Sequence, residues 1–158
     1  MADPALRLIA REKGDVLNND ASAMPRSSTM PTVEVSWGEL IDKLTVLEIK
    51  ELRLSSPQAV ANVRNELARL SRVLRELAPR PARLDALKAK LKTINETLWD
   101  IEDGIRAKEA VKAFDQQFVE FARSVYFNND QRSRVKREIN ELLQSGIIEE
   151  KQYTSYAR

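Results

Sequence analysis

The sequence predicts an all-α protein, a long antiparallel helical hairpin of coiled-coil-like spacing packed at its base on an N-terminal helix and two C-terminal helices. Three observations predict it. Apolar residues recur at alternating spacings of three and four through the hairpin region, residues 56–106, as Val60, Val63, Leu67, Leu70, Leu74 and Leu77 and then as Leu84, Leu87, Leu91, Ile94, Leu98, Ile101 and Ile105. That spacing keeps one stripe of a helix apolar. Helix-start signals stand in front of the patterned runs, and the chain of 158 residues carries only six prolines and four glycines at 42% hydrophobic and 32% charged content, the balance of one small domain rich in exposed helix.

Residues 1–31 read as a disordered extension. Asn18 to Pro31 is polar, broken by prolines and without periodicity. Met24 and Met30 each precede a proline and the pattern begins only after Met30, which suggests an upstream mis-start, with residues 32–158 forming a single helical domain. Thr32 to Val35 is a short extended piece. Ser36-Trp37-Gly38-Glu39 then has the form of a capping box, in which the serine oxygen meets the amide three residues on and the glutamate reaches back. On the helix it opens, Trp37, Leu40, Ile41, Leu44 and Leu52 share one side while Val46 and Ile49 lie opposite, so this helix is expected to be packed on two sides. Glu48 falls on its apolar side, where a carboxylate needs a lysine, solvent or a site to serve.

Ser56-Pro57 supplies a cap and a proline at the first helical position for the first hairpin arm, and Ala78-Pro79-Arg80-Pro81 permits only a turn before the second. The second arm carries another seam, Asn95, Trp99, Glu102 and Arg106, with Glu102 and Arg106 oriented for an i,i+4 pair. Gly104 within it implies a close neighbour or a bend. Phe114, Phe118, Phe121 and Val125 form an aromatic stripe expected to seal the hairpin base together with the Trp37 helix. Asn128-Asn129-Asp130 reads as a break and a cap for a last helix bearing Val135, Ile139, Leu142 and Leu143, ended by Ser145-Gly146. The tail with Tyr153 and Tyr156 is expected to strap back, pairing with Thr32 to Val35.

Chemistry is narrowed by what is missing. Without cysteine or histidine the chain has no disulfide, thiolate nucleophile, imidazole base or common zinc site, and no cofactor is implied. No apolar run reaches the length of a membrane span and no signal-peptide core is visible, so the expected setting is cytoplasmic and away from membranes. Three constellations remain. Glu48, Asn95, Trp99, Glu102 and Arg106 form a candidate polar cluster, to which Glu96, Asp100 and Asp103 on one helix face add weak oxygen ligands for a divalent metal. Arg132, Arg134, Lys136 and Arg137 near the start of the last helix, with Arg123 before them, suit a phosphate-bearing small molecule, because free amides and an arginine fork both favour an anion. Arg72, Arg75, Arg80 and Arg83 make the hairpin tip basic, but no aromatic residue or nucleic-acid motif accompanies them, and nucleic acid ranks last among the partners.

The stretches VEVSWGELIDKLTVLEIK, LWDIEDGIR, FARSVYFNND and KREINELL, followed by IIEEKQY, resemble the signature blocks of DUF6165, a family of uncharacterised bacterial proteins, over about Val33 to Tyr156. The resemblance implies no activity; it implies members encoded near glycosyltransferases or surface-polysaccharide genes. The functional expectation is therefore a non-catalytic helical interaction module, a homodimer or the docking partner of another protein, accessory to glycan assembly. The alternative is a phosphate- or nucleotide-sugar-binding or metal-assisted enzyme. A convergent polar pocket around Trp99 would favour the alternative, and an exposed apolar seam the module.

Overall fold

The computed structural model describes residues 32–152, and the helical body extends from Glu34 onward. The expectations for residues 1–31 and for Tyr153 and Tyr156 lie outside the described residues. Among the described residues four helices follow one another: α1 Trp37–Arg53, α2 Pro57–Arg75, α3 Arg83–Ala110 and α4 Gln116–Leu142. The all-α class is as the sequence predicts. Among the described residues no helix is long and apolar enough to cross a membrane.

α1 is the element the others cover. Ile41, Leu44, Leu47 and Ile49 are all at most 1% exposed, although they point to different sides of the helix, because α2, α3 and α4 each pack against it. Its first turn is closed by three different oxygens. Ser36 Oγ accepts from the Glu39 amide at 3.2 Å, Asn140 Oδ1 from the Gly38 amide at 2.6 Å and Ser145 Oγ from the Trp37 amide at 3.3 Å. The orphan N–H groups of a helix start are thereby used to lock α1 onto the end of α4. Only half of the expected capping box forms, since Glu39 turns to Lys136 instead of reaching back.

The pairing of helices differs from the expected hairpin. The backbone of α2 closes to packing distance with α1 alone, and α3 pairs with α4 along its length and with α1. The heptad stripes of α2 and α3 still meet a common core, in which Leu74, Leu84, Leu87, Leu91, Ile94 and Leu98 join Leu40, Ile41, Leu44, Val135 and Ile139. A heptad stripe demands burial and does not name its partner. With α1 apolar on more than one side, covering it buries surface that closing α2 directly on α3 would leave open.

α4 is one continuous helix, which corrects the expectation of two C-terminal helices with a break at Asn128-Asn129-Asp130. Asn128 Nδ2 donates to the carbonyl of Ser124 within the same helix, so the side chain is not capping a new start. The weak local preference for a turn is overridden by packing on both sides of it, with Phe121 against Gly104 and Val135 and Ile139 in the core. The aromatic stripe is placed differently as well. Phe118, Phe121 and Val125 are half-buried and Phe114 is 57% exposed, on the part of the α3–α4 pair outside the core that Trp37 touches. The strap expectation holds in part. Residues 145–151 fold back, but onto α4, and Thr32 to Val35 is not a strand.

Two glycines mark close approaches. A Cβ on Gly104 would lie 2.7 Å from the Phe121 ring, so a close neighbour and not a bend explains it, and a Cβ on Gly38 would lie 2.6 Å from the backbone oxygen of Lys136. A ring can tilt; a helix carbonyl cannot. Gly38→Ala is therefore expected to lower the melting temperature despite alanine's better helix propensity of about 1 kcal/mol. Thermal denaturation checks this, and a variant as stable as the parent would contradict the close α1–α4 contact.

Candidate functional site

Midway along α1 the residues that face α3 and α4 turn polar. Asp42 and Thr45, one turn apart, are 2% and 0% exposed. Arg132 of α4 meets Asp42 with both edges of its fork, Nε donating to Oδ1 at 2.8 Å and Nη2 to Oδ2. Asn95 of α3 donates from Nδ2 to Asp42 Oδ1 and to Thr45 Oγ1, each at 2.8 Å, while the Thr45 hydroxyl donates to the Asp42 carbonyl at 2.8 Å. The bond to Asp42 raises the pKa of the Arg132 guanidinium above its ordinary value and outweighs the opposing effect of burial. Three helices are thus joined through one carboxylate, and no buried side-chain nitrogen or oxygen among the described residues lacks a partner.

Above this network opens a pocket of about 450 Å³. Val46, Ile49 and Leu98 supply an apolar lining, and Asn95 and Arg132 bring the polar network into it. Trp99, half-buried, gives a flat wall that the Arg53 guanidinium approaches at 5.7 Å from the ring centroid, itself held by Asp100. Glu102 and Arg106, paired at 3.2 Å and exposed, stand with Asp103 at the rim, and Lys50 and Asn129 complete it. Lys50 has no ion-pair partner among the described residues.

Four members of the predicted polar cluster, Asn95, Trp99, Glu102 and Arg106, are therefore gathered at one pocket, and Arg132 joins them from the predicted anion set. Glu48 is not there. It lies between Lys88 at 2.5 Å and Lys92 at 3.2 Å, the lysine-paired outcome.

The basic set is dispersed. Because α4 begins at Gln116, there is no helix N-terminus beside Arg132, and the amides expected to attract an anion there are spent on the helix itself, which corrects that part of the reading. The true start of α4 is already capped by Asp115, whose carboxyl is lowered in pKa by its bond from Lys108 and by the Phe118 amide. Lys136 is buried between Glu39 at 2.6 Å and Glu149 at 2.7 Å. Burial pushes its ammonium down in pKa, but the bonds to Glu149 and Glu39 outweigh it and the net shift is upward. Arg137 pairs with Glu150, while Arg123 and Arg134 are exposed on α4. At the basic tip Arg80 pairs with Asp85 and Arg83 with Glu138, with Arg72 and Arg75 exposed on the last turn of α2. Glu96, Asp100 and Asp103 do not converge, and among the described residues no group of three acids is placed to hold a metal ion.

Asp42, Thr45, Lys50 and Asn129 were not singled out by sequence. The signal was present in Asp42 and Thr45, polar residues at a spacing of three between Ile41, Leu44 and Leu47 on a helix expected to be covered on two sides. Asn129 was spent on a turn that does not form.

A family model described as a family of unknown function, DUF6165, matches residues 31–157. No curated protein and no solved structure matches the chain.

The two partners of the buried pair differ in their escape routes. Arg132, 30% exposed, can swing to water if Asp42 is removed, whereas Asp42 at 3% side-chain exposure cannot leave if Arg132 is removed. Arg132→Ala is therefore expected to cost about 3–5 kcal/mol and Asp42→Ala less, with the double variant well short of the sum. Chemical denaturation of the three variants measures this, and equal costs that add would show the pair to be incidental.

Proposed function

The chain belongs to the DUF6165 family, whose description assigns no activity, and from its geometry we propose a non-catalytic helical binding module that holds a small anionic molecule in the pocket between α1, α3 and α4. The observation that carries this is the composition of the pocket. An apolar lining, one aromatic wall, fixed amide and guanidinium groups and the ammonium of Lys50, without an ion-pair partner among the described residues, meet in a volume within the range of small-molecule sites. Lys50 is the group that would meet an anion, since Glu102 already engages Arg106 and Asp42 engages Arg132, while Asp103, without an ion-pair partner among the described residues, stands at the same rim and would keep that anion to the Lys50 side.

Thermal melts with a panel of sugar phosphates and nucleotides test the reading. A ligand at a hundredfold excess over its Kd is expected to stabilise the fold by about 2.7 kcal/mol, and Lys50→Ala or Trp99→Ala should abolish the rise. If no anionic small molecule shifts the melt, the pocket is not a binding site of this kind.

Self-association is a second reading, favoured by the end of the α3–α4 arm, where Val111, Phe114, Val119 and Tyr126 are 72%, 57%, 43% and 38% exposed. Val111 and Phe114 in the connection after α3, with Val119 and Tyr126 on α4, suit a second copy of the same arm, since a two-fold axis would set each patch against its equivalent. Sedimentation is expected to show a dimer that Phe114→Glu dissociates; a parent protein that stays monomeric at its highest soluble concentration removes this reading.

A further inference from the structure

Asn95 is oriented by what it donates. Both hydrogens of its Nδ2 are committed, one to Asp42 and one to Thr45, so the amide cannot flip and Oδ1 must point away from them. The residue is only 6% exposed and lines the pocket, and among the described residues no group donates to Oδ1 and no buried side-chain oxygen is left orphaned, which points this oxygen to the pocket. Arg132 is oriented in the same way. With Nε and Nη2 bound to Asp42, Nη1 is the part of the fork that no hydrogen bond among the described residues engages, on a side chain that lines the pocket. The pocket therefore presents one fixed neutral acceptor and one fixed donor whose positive charge Asp42 balances.

Resting on the pocket reading above, we propose that this donor–acceptor pair selects a ligand bearing a secondary amide, whose N–H meets Asn95 Oδ1 and whose carbonyl meets Arg132, with the ligand's anionic group directed to Lys50 at the rim. A hydroxyl can satisfy either position but not both with one rigid group, and an ammonium supplies no acceptor to Arg132. A protein amide held in a fixed orientation leaves an ill-matched ligand with an unpaired polar group, and that is the source of discrimination. Trp99 gives the body of such a ligand a flat surface to lie against.

Calorimetric titration of the full chain with N-acetylglucosamine 1-phosphate, glucosamine 1-phosphate, glucose 1-phosphate and N-acetylglucosamine tests the inference, since these differ only in the amide or in the anion. The N-acetylated phosphate is expected to bind about tenfold more tightly than either phosphate without the amide, the value of one additional well-made hydrogen bond. Lys50→Ala should bring it down to the affinity of N-acetylglucosamine. Thr45→Val, which releases one Asn95 hydrogen without touching the ligand, should shrink the preference for the amide by weakening the N-acetylated phosphate more than the two unacetylated ones. Should Thr45→Val fail to fold, the comparison of ligands on the parent protein still decides. Equal affinity for the three phosphates overturns the amide inference and leaves the anion pocket standing; no binding by any of the four compounds overturns both.

Discussion

A carboxylate taken almost wholly out of water has to be neutralised where it stands, and Asp42 imposes that requirement on three helices at once. An unpaired buried ion costs several kcal/mol, so α4 must present Arg132 and α3 must present Asn95 at the right height and rotation about α1. Apolar contacts tolerate sliding by a methyl group or two. A bidentate fork and a doubly donating amide do not, and they set the register of helices whose leucine stripes would accept several. The network adds little net stability for its cost; what it supplies is a single arrangement.

The same register is held at a second point one turn away. The amides of Trp37 and Gly38 end on Ser145 and Asn140, and the backbone of α1 comes so near to Lys136 that only glycine fits at position 38. Around that contact Lys136 is enclosed by Glu39 from α1 and Glu149 from the returning C-terminal segment, so charge pairing continues outward from the buried acid to the surface. The N-terminal half of α1 and the C-terminal half of α4 are in this way the most densely bonded end of the helical body. Toward the other end α1 stops at Arg53, while α3 runs on to Ala110 before α4 returns, and the core gives way to half-buried aromatic residues.

The pocket is a consequence of that change. It lies where the buried network gives out and α1 still covers one side, so groups fixed by the network border open space that no side chain fills. Its polar groups are unusual in having been oriented before any ligand arrives. Asn95 and Arg132 are held by Asp42 and Thr45, which a ligand would not touch, and such pre-orientation lowers the entropic cost of binding. Lys50, in contrast, has no ion-pair partner among the described residues and stands at the rim, where it would meet the anionic group of the proposed ligand.

By itself the sequence determined that the chain is helical, where α1 and α2 begin, that α1 is covered on more than one side and that Asn95, Trp99, Glu102 and Arg106 share a face, because each of these follows from local spacing or from a cap within a few residues. Tertiary structure alone decided which stripe meets which. Leucines at heptad spacing on α2 and α3 specify burial without a partner, and the turn between them is as compatible with packing on α1 as with closing on each other. It also decided that Asn128-Asn129-Asp130 would remain helical, since a preference worth under about a kilocalorie per residue yields to the packing of α4 along the length of α3. The pairing of Asp42 with Arg132, 90 residues apart, had no local signature. Asp42 announced itself only as a polar residue in an apolar setting, and which charge would answer it depended on how the helices crossed.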